Sequence, residues 1–442
     1  MKRMRTYQLD ELDNTARREL CRRPSRSSRD IIPVVEPILE AVRKEGDRAV
    51  HRYTKEFDGV DIDPILIRPS ELAAELTTEE KKALDTAMRN VERFHREQHR
   101  GTLQVETAPG IRCMREVRPI ESVGLYIPGG TAPLPSTAVM LGVPARVAGC
   151  RSVVMATPPG PGGTVPAPIL YVAQQTGVDA ILLAGGAQAI AAMAYGTESI
   201  PKADKLFGPG NQYVTAAKMA LQNSDAMISI DLPAGPSEVL VIADREADPD
   251  FIAADLLSQA EHGPDSQVVL VALPGLEIDS VEEALERQLA RLPRAEITRQ
   301  ALEKSFAVRA SSMEEALEFS NRYAPEHLIL NIAGPGEQTD RILNAGSVFL
   351  GPWTPESFGD YASGTNHTLP TYGYARMYSG VSLESFQKSI TFQEATPEGV
   401  RTLGPVVEQL ATMEGLDAHR EAVSLRLRKL NETRPDGSGT ID

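Results

Sequence analysis

Ala180-Ile-Leu-Leu-Ala-Gly-Gly-Ala-Gln-Ala-Ile-Ala-Ala-Met-Ala-Tyr195 reads as three pieces in a row. Ala180 to Ala184 is an apolar run of strand length. Gly185-Gly186 is a turn. Gln188 to Tyr195 is an alanine-rich helix with strong intrinsic propensity. A strand without polar alternation, followed at once by a helix, belongs in a parallel sheet covered on both faces.

The same grammar extends outward from this point. Val123-Gly-Leu-Tyr126-Ile-Pro-Gly129-Gly130 and Ser152-Val-Val-Met-Ala156 are strands on the N-terminal side, and Pro166 to Gln175 is a helix between strands. Lys205-Leu-Phe207 and Met227-Ile-Ser-Ile230 follow, with Gly208-Pro-Gly-Asn211 opening a helix between them. A second alternating set runs from Val239 to Phe349: strands at 239–243, 267–272, 306–310 and 327–331, helices at 281–292 and 313–323. The expected fold is α/β, with two Rossmann-like parallel-sheet lobes. Neither carries the usual Gly-x-Gly-x-x-Gly fingerprint, and there is no Walker loop. Helical spacing from Ile31 to Tyr53, interrupted by Pro33 and Pro37, and a helix beginning at Thr77-Thr78-Glu-Glu precede the first lobe.

We assign residues 1–25 to an N-terminal arm. Residues 26–122 and 237–380 form a discontinuous catalytic lobe, and 123–236 is inserted as the second. Residues 381–430 form a helical C-terminal segment, and 431–442 a polar, disordered tail.

The chain has 442 residues, 41% hydrophobic and 24% charged, as expected of a soluble globular protein. Its net charge of −15 argues against nucleic-acid or anionic-membrane surfaces. No apolar run is long enough to span a bilayer, and no signal-type segment follows the first residues. Cys21, Cys113 and Cys150 are odd in number and widely spaced, which suits a reducing compartment, so the cytoplasm is expected.

Several residues are candidates for chemistry. In Leu256-Leu-Ser-Gln259-Ala-Glu-His262-Gly-Pro-Asp265, a helix ends at a glycine expected to form a left-handed cap, and Pro264 forbids continuation. Gln259 and His262, three apart, share a face and can point at one borderline metal ion such as zinc. His95 and His99 are four apart, but Arg93, Arg96 and Arg100 crowd them, so an ordinary helix surface is the better reading. Tyr126, Gln188 and Asn211 each sit at a glycine turn in the first lobe, where a nucleotide could be held; turn chemistry alone also explains them. Ser237, in Asp231-Leu-Pro-Ala-Gly-Pro-Ser-Glu238, sits on the link between lobes.

Ala324-Pro-Glu326-His327-Leu328 is the sharpest acid/base candidate. Adjacent residues at a strand's start project to opposite sides, so Glu326 and His327 are expected to act separately. Pro355 to His367 reads as a long polar loop containing Asp360 and His367. Glu414-Gly-Leu-Asp-Ala-His419 is a second loop before the last helix. Four of the seven histidines (His262, His327, His367, His419) lie at such positions in the C-terminal half. Cys150, in an apolar setting before a strand, reads as packing rather than as a nucleophile.

Together these stretches resemble the histidinol dehydrogenase family over roughly residues 25 to 430. The resemblance implies NAD-dependent, four-electron oxidation of L-histidinol to L-histidine through L-histidinal, the last two steps of histidine biosynthesis. It also implies one zinc ion per active site, with Gln259, His262, Asp360 and His419 as ligands. Glu326 and His327 are then the acid/base pair, and Tyr126, Gln188 and Asn211 the NAD contacts. Ser237, His367 and Glu414, with the ligands and His327, meet the substrate. The family's C-terminal segment crosses a homodimer, so His419 and Glu414 are expected to complete the neighbour's site. A paralogous dehydrogenase of another small amino- or sulfo-polyol is the nearest alternative. A zinc hydrolase would leave the glycine turns unexplained, and NAD reduction with histidinol, abolished by chelation, separates the enzyme from a non-catalytic zinc-stabilised scaffold.

Overall fold

The computed structural model describes residues 4–23, 28–129 and 133–432. The expected disordered tail lies outside the described residues from 433 on, as does Gly130. The chain divides into two compact units. One comprises residues 1–98 and 120–386, the other 99–119 and 387–442.

The first unit contains two six-stranded sheets. In one, the strands Ala180–Leu183, Ser152–Thr157, Ser122–Tyr126, Lys205–Phe207 and Ser229–Ile230 lie side by side in that order, all parallel. Leu66–Ile67 adds an antiparallel edge to Ala180–Leu183. The second sheet is parallel throughout, in the order Arg5–Gln8, Phe306–Arg309, Gln267–Ala272, Glu238–Ala243, His327–Asn331 and Ser347–Leu350. Numbered within each lobe, the five successive parallel strands run 3-2-1-4-5 in both sheets. That is the doubly wound arrangement in which the strand order reverses beside the first strand.

Two expectations about organisation are corrected. The segment 26–122 packs chiefly on the sheet of 123–236 and touches 237–380 only at its margin, where Asn90 donates to the Ala362 carbonyl at 2.8 Å. Ile31, Val35, Leu39 and Val42 of the helix Ser28–Glu45 share a core with Ala189, Ile190, Ala217 and Leu221 of the first lobe. Met88 and Val91 of Thr78–Glu97 pack with Val139 and Met140 in the same lobe. A parallel sheet is apolar on both faces, and these amphipathic helices cover it. The lobe is therefore built from both sides of residue 122 and is not an insertion. Residues 1–25 are also more than an arm, because Arg5–Gln8 forms the edge strand of the second sheet.

Locally, Pro33 and Pro37 lie inside Ser28–Glu45; the break comes at Gly46, with φ of 56°, before Asp47–Asp58. Thr77 caps its helix with a reciprocal Glu80 capping box. His95 is buried with Nδ1 2.8 Å from the Val91 carbonyl, and His99 lies beyond the last helical residue, so they form no metal pair.

The second unit is a three-stranded antiparallel sheet plus two helices. Ile111–Pro119 lies between Leu103–Ala108 and Gln387–Ala395. The nine-residue strand Gln387–Ala395 corrects the expectation that 381–430 is helical throughout. The helices Pro397–Met413 and Asp417–Glu432 then pack closely: a Cβ on Gly404 would come within 2.9 Å of Leu427.

Candidate active site

The helix Pro249–Ala260 starts on an Asp248 cap and buries Ile252, Ala253, Leu256 and Leu257 against the second sheet. That anchoring places Gln259 in the interior at its C-terminal end, fully buried. Among the described residues, neither oxygen nor nitrogen of its carboxamide has a hydrogen-bond partner. A buried polar atom left unmatched costs about 1–3 kcal/mol, so this amide is poised for something that pairs with it. The left-handed cap expected at Gly263 is not formed. Glu261 closes the helix in right-handed geometry, and His262 follows it, exposed. Crowding by protein still lowers the His262 pKa, with the Asp360 charge opposing.

Glu326 and His327 enter through Ala324, a non-glycine residue in the left-handed region at φ 52°, and Pro325. Both side chains are buried. They do not act on opposite sides as expected. Glu326 precedes the ladder of His327–Asn331, and its carboxylate turns back to accept the Glu238 N–H at 2.8 Å. This brings Oε2 to 3.5 Å from His327 Nδ1. His327 Nδ1 lies 3.1 Å from the Glu238 carbonyl, and Nε2 3.2 Å from Asp360 Oδ1. A carbonyl only accepts, so Nδ1 carries the proton. Burial opposes charge on this ring, but the Glu326 and Asp360 carboxylates outweigh it and hold His327 well above the ordinary histidine range. Burial pushes Glu326 up, with His327 opposing.

Asp360 does not lie in a loop. Glu356–Tyr361 is a short helix, so Glu356 and Asp360, four apart, share a face. Asp360 is held below its usual pKa because His327, His367 and His262 outweigh its burial. Its carbonyl accepts from His367 Nδ1 at 2.8 Å, which leaves His367 Nε2 to accept the Thr137 hydroxyl at 3.2 Å. His367 therefore bridges the two lobes as a neutral ring, and burial lowers its pKa. Ser237 lies immediately before the strand Glu238–Ala243, at the same end of the sheet. Gln259, His262, Glu326, His327, Asp360 and His367 thus converge at the amino ends of the second sheet's strands. That is the opposite end from the usual α/β ligand crevice.

The first lobe uses the usual end. Tyr126 closes the first strand, buried, and its hydroxyl accepts the Gly186 N–H at 3.1 Å. Burial pushes this phenol up to about 12. Gln188 is buried with its side-chain oxygen unpartnered among the described residues. Asn211 caps the helix Gln212–Gln222 by accepting the Tyr213 and Val214 N–H groups, which leaves its amide N–H edge free of that duty. Gly208 is obligatory: at φ 120° a Cβ would lie 2.1 Å from the Tyr126 carbonyl oxygen. Its N–H donates to Asp231, which also pairs with buried Lys218. The three turns meet beside the reversal in strand order.

His419 and Glu414 lie in the second unit, both exposed: Glu414 ends Pro397–Met413 and His419 is in the first turn of Asp417–Glu432. Among the described residues, no three or more His, Cys, Asp and Glu side chains form a metal-holding group by themselves. The donor set expected within the first unit is one amide, one imidazole and one carboxylate. The buried, unmatched Gln259 carboxamide fits a cation.

Four features escaped the sequence reading. Glu356 is buried, accepts the Ser258 hydroxyl at 2.6 Å, and is pushed up to about 8 by burial. Glu238 holds both acid/base residues through its backbone, while its carboxylate pairs bidentately with buried Arg23 at 2.9 Å. The Arg23 guanidinium lies 3.5 Å above the Tyr323 ring. Thr137 fixes His367 from the other lobe. Glu238 and Glu356 both stood in motifs already singled out, but nothing marks a carboxylate as buried before the fold is known.

Comparison with known proteins identifies the family. The family model described as histidinol dehydrogenase matches residues 21–427. The chain is 57% identical over 429 residues to the chloroplastic histidinol dehydrogenase of Arabidopsis thaliana, covering 97% of this chain and 92% of that one. It is 56% identical over 416 residues to the histidine biosynthesis trifunctional protein of Saccharomyces cerevisiae, of which it spans 52%. The crystal structure of histidinol dehydrogenase from Elizabethkingia anophelis is 49% identical. It superposes with a TM-score of 0.92, covering 97% of this chain and 99% of that one. Fold and relatives agree: the chain belongs to the histidinol dehydrogenase family, oxidoreductases of histidine biosynthesis.

Proposed function

We propose that this chain oxidises L-histidinol to L-histidine through L-histidinal, using NAD twice and one zinc ion per site. The observation that carries the reading is the unmatched, fully buried Gln259 carboxamide in the same lobe as the Asp360–His327–Glu326 array. Gln259, His262 and Asp360 would hold the zinc with His419, which comes from a second copy. When bound, zinc supplies a Lewis-acid anchor for the amine and imidazole nitrogens of the substrate. NAD at Tyr126, Gln188 and Asn211 supplies the hydride acceptor in both oxidations.

The residues divide the proton work. With Nδ1–H fixed on the Glu238 carbonyl and Asp360 turned to zinc, which would remove one of the two carboxylates that keep His327 protonated, Nε2 is the atom that takes the alcohol proton as hydride leaves the carbinol carbon. Glu326 removes a proton from the water that hydrates the aldehyde. His327 then acts again as base when the hydrate loses its hydride. Two NAD are reduced and one water consumed per histidinol. Because Glu326 lies 3.5 Å from His327, it also steadies the charge that His327 acquires. His367, Ser237 and Glu414 complete the substrate contacts.

The same reading makes the active form a homodimer. Leu410, Met413 and Leu425 on the C-terminal helices are 53%, 73% and 55% exposed, an apolar surface suited to a partner. Among the described residues no helix is long and apolar enough to cross a membrane, and the three cysteines are free, which supports placing the enzyme in the cytoplasm. The test is stoichiometry. Two NADH should form per histidinol consumed, and turnover should stop when zinc is chelated. One NADH per histidinol, or none, would overturn the proposal.

A further inference from the structure

Three side-chain atoms, Gln259 Oε1, Gln259 Nε2 and Glu356 Oε2, are buried and without hydrogen-bond partners among the described residues. The other Glu356 oxygen accepts the hydroxyl of Ser258, the residue before Gln259, at 2.6 Å. Glu356 is therefore tethered to the helix that carries Gln259, and the Gln259 amide lies close enough to perturb its carboxyl. Glu356 also begins the helix Glu356–Tyr361, one turn before Asp360. One glutamate thus abuts both chain segments that carry buried candidate ligands.

A carboxamide can face a cation only through its oxygen, and its NH2 must then find an acceptor on the far side. Left alone, the amide can rotate and present the wrong end. We propose that Glu356 is a positioning residue: it accepts Gln259 Nε2–H on Oε2, turning Gln259 Oε1 toward the zinc. This inference rests on the zinc reading above. Glu356 itself touches neither substrate nor the reacting atoms. That bond would leave Gln259 Oε1 as the one atom of the three still unmatched and available to the ion.

Three isosteric variants test it, with zinc affinity read by competition against a chromophoric chelator and coordination read from the visible spectrum of the Co2+-substituted protein. Gln259→Glu adds negative charge next to the ion, which by itself would tighten binding. Measured at pH 9, above the value of about 8 to which burial pushes Glu356, it also sets two carboxylates against each other, and the proposal predicts that zinc binding weakens by about 10- to 100-fold. Glu356→Gln keeps an acceptor oxygen for Gln259 and should bind within about 3-fold of wild type. The double variant Gln259→Glu with Glu356→Gln restores a donor–acceptor pair and should recover wild-type affinity and spectrum. Tighter or unchanged zinc binding by Gln259→Glu, or a Glu356→Gln variant as impaired as Gln259→Glu, would overturn the inference. Wild-type protein that binds no zinc would instead sink the functional reading beneath it.

Discussion

His327 Nε2 lies 3.2 Å from Asp360 Oδ1, and the opposite ring nitrogen faces the Glu238 carbonyl at 3.1 Å. The backbone fixes the tautomer, so a single nitrogen is left to exchange protons. The carboxylate beside that nitrogen is the one expected to hold metal. On the proposed reading, metal binding and the base would be coupled through one residue, Asp360.

The acid/base division predicts unequal losses. His327→Asn removes the exchanging nitrogen and should slow both oxidations by about 10²- to 10⁴-fold. Glu326→Gln should slow oxidation of added histidinal more than the alcohol step, because water activation is lost outright while support of His327 is only weakened. Rates with histidinol and with added histidinal measure the split. Equal losses in Glu326→Gln would contradict it.

Arg23 and Glu238 are 4% and 1% exposed as side chains, so their ion pair is beyond solvent screening. Arg23→Met leaves the Glu238 carboxylate buried with the Tyr372 N–H and no cation. We expect a loss of about 3–5 kcal/mol in urea unfolding, the usual result of removing one partner of a buried pair. Turnover should fall as well, because Glu238 positions Glu326 and His327. A loss within experimental error would show that the pair contributes nothing.

Much of this architecture was legible in the chain. Ala180 to Leu183 and Gln267 to Ala272 are apolar on both faces, as strands in a covered parallel sheet must be, and the structure keeps them as read. Leu103–Ala108 and Ile111–Pro119 were not recognised, although Pro109-Gly110 between them is a turn signal. The side chains of Leu103–Ala108 are largely exposed and those of Ile111–Pro119 mostly half-buried, so no clear apolar alternation marks them. The lobe assignment of 26–122 failed because helix amphipathicity shows that a face is buried and says nothing about the sheet it meets. The helix Glu356–Tyr361 hid in a polar, glycine-containing run, and with it the face shared by Glu356 and Asp360. Gln259, His262 and Asp360 could be named from their motifs. The burial that makes Gln259 informative is a property of the packed lobe.

Cys150 is expected to be chemically silent. Burial pushes its thiol up to about 12, so at pH 8 it is overwhelmingly protonated, and thiolate accumulates only as pH approaches that value. Iodoacetamide at pH 8 should label it only after denaturation, as mass spectrometry of the alkylated peptide would show, and Cys150→Ala should keep wild-type turnover. Rapid native labelling with loss of activity would reopen a thiol mechanism.

The shared-site reading predicts complementation. Gln259→Ala and His419→Ala homodimers should each be inactive. Mixed and allowed to exchange subunits, half of the dimers carry one intact site, so about a quarter of wild-type activity should return. No recovery, with exchange verified by mass spectrometry, would place His419 outside the neighbour's site.

The account depends most on the buried Gln259 carboxamide waiting for a cation. Gln259→Leu, which fills the same space without polar atoms, puts this to the test when zinc affinity and zinc-free stability are measured on one sample. We predict that stability without zinc rises, because an unmatched buried amide is gone, while zinc affinity falls at least about 100-fold. Unchanged zinc affinity in that variant would contradict the account.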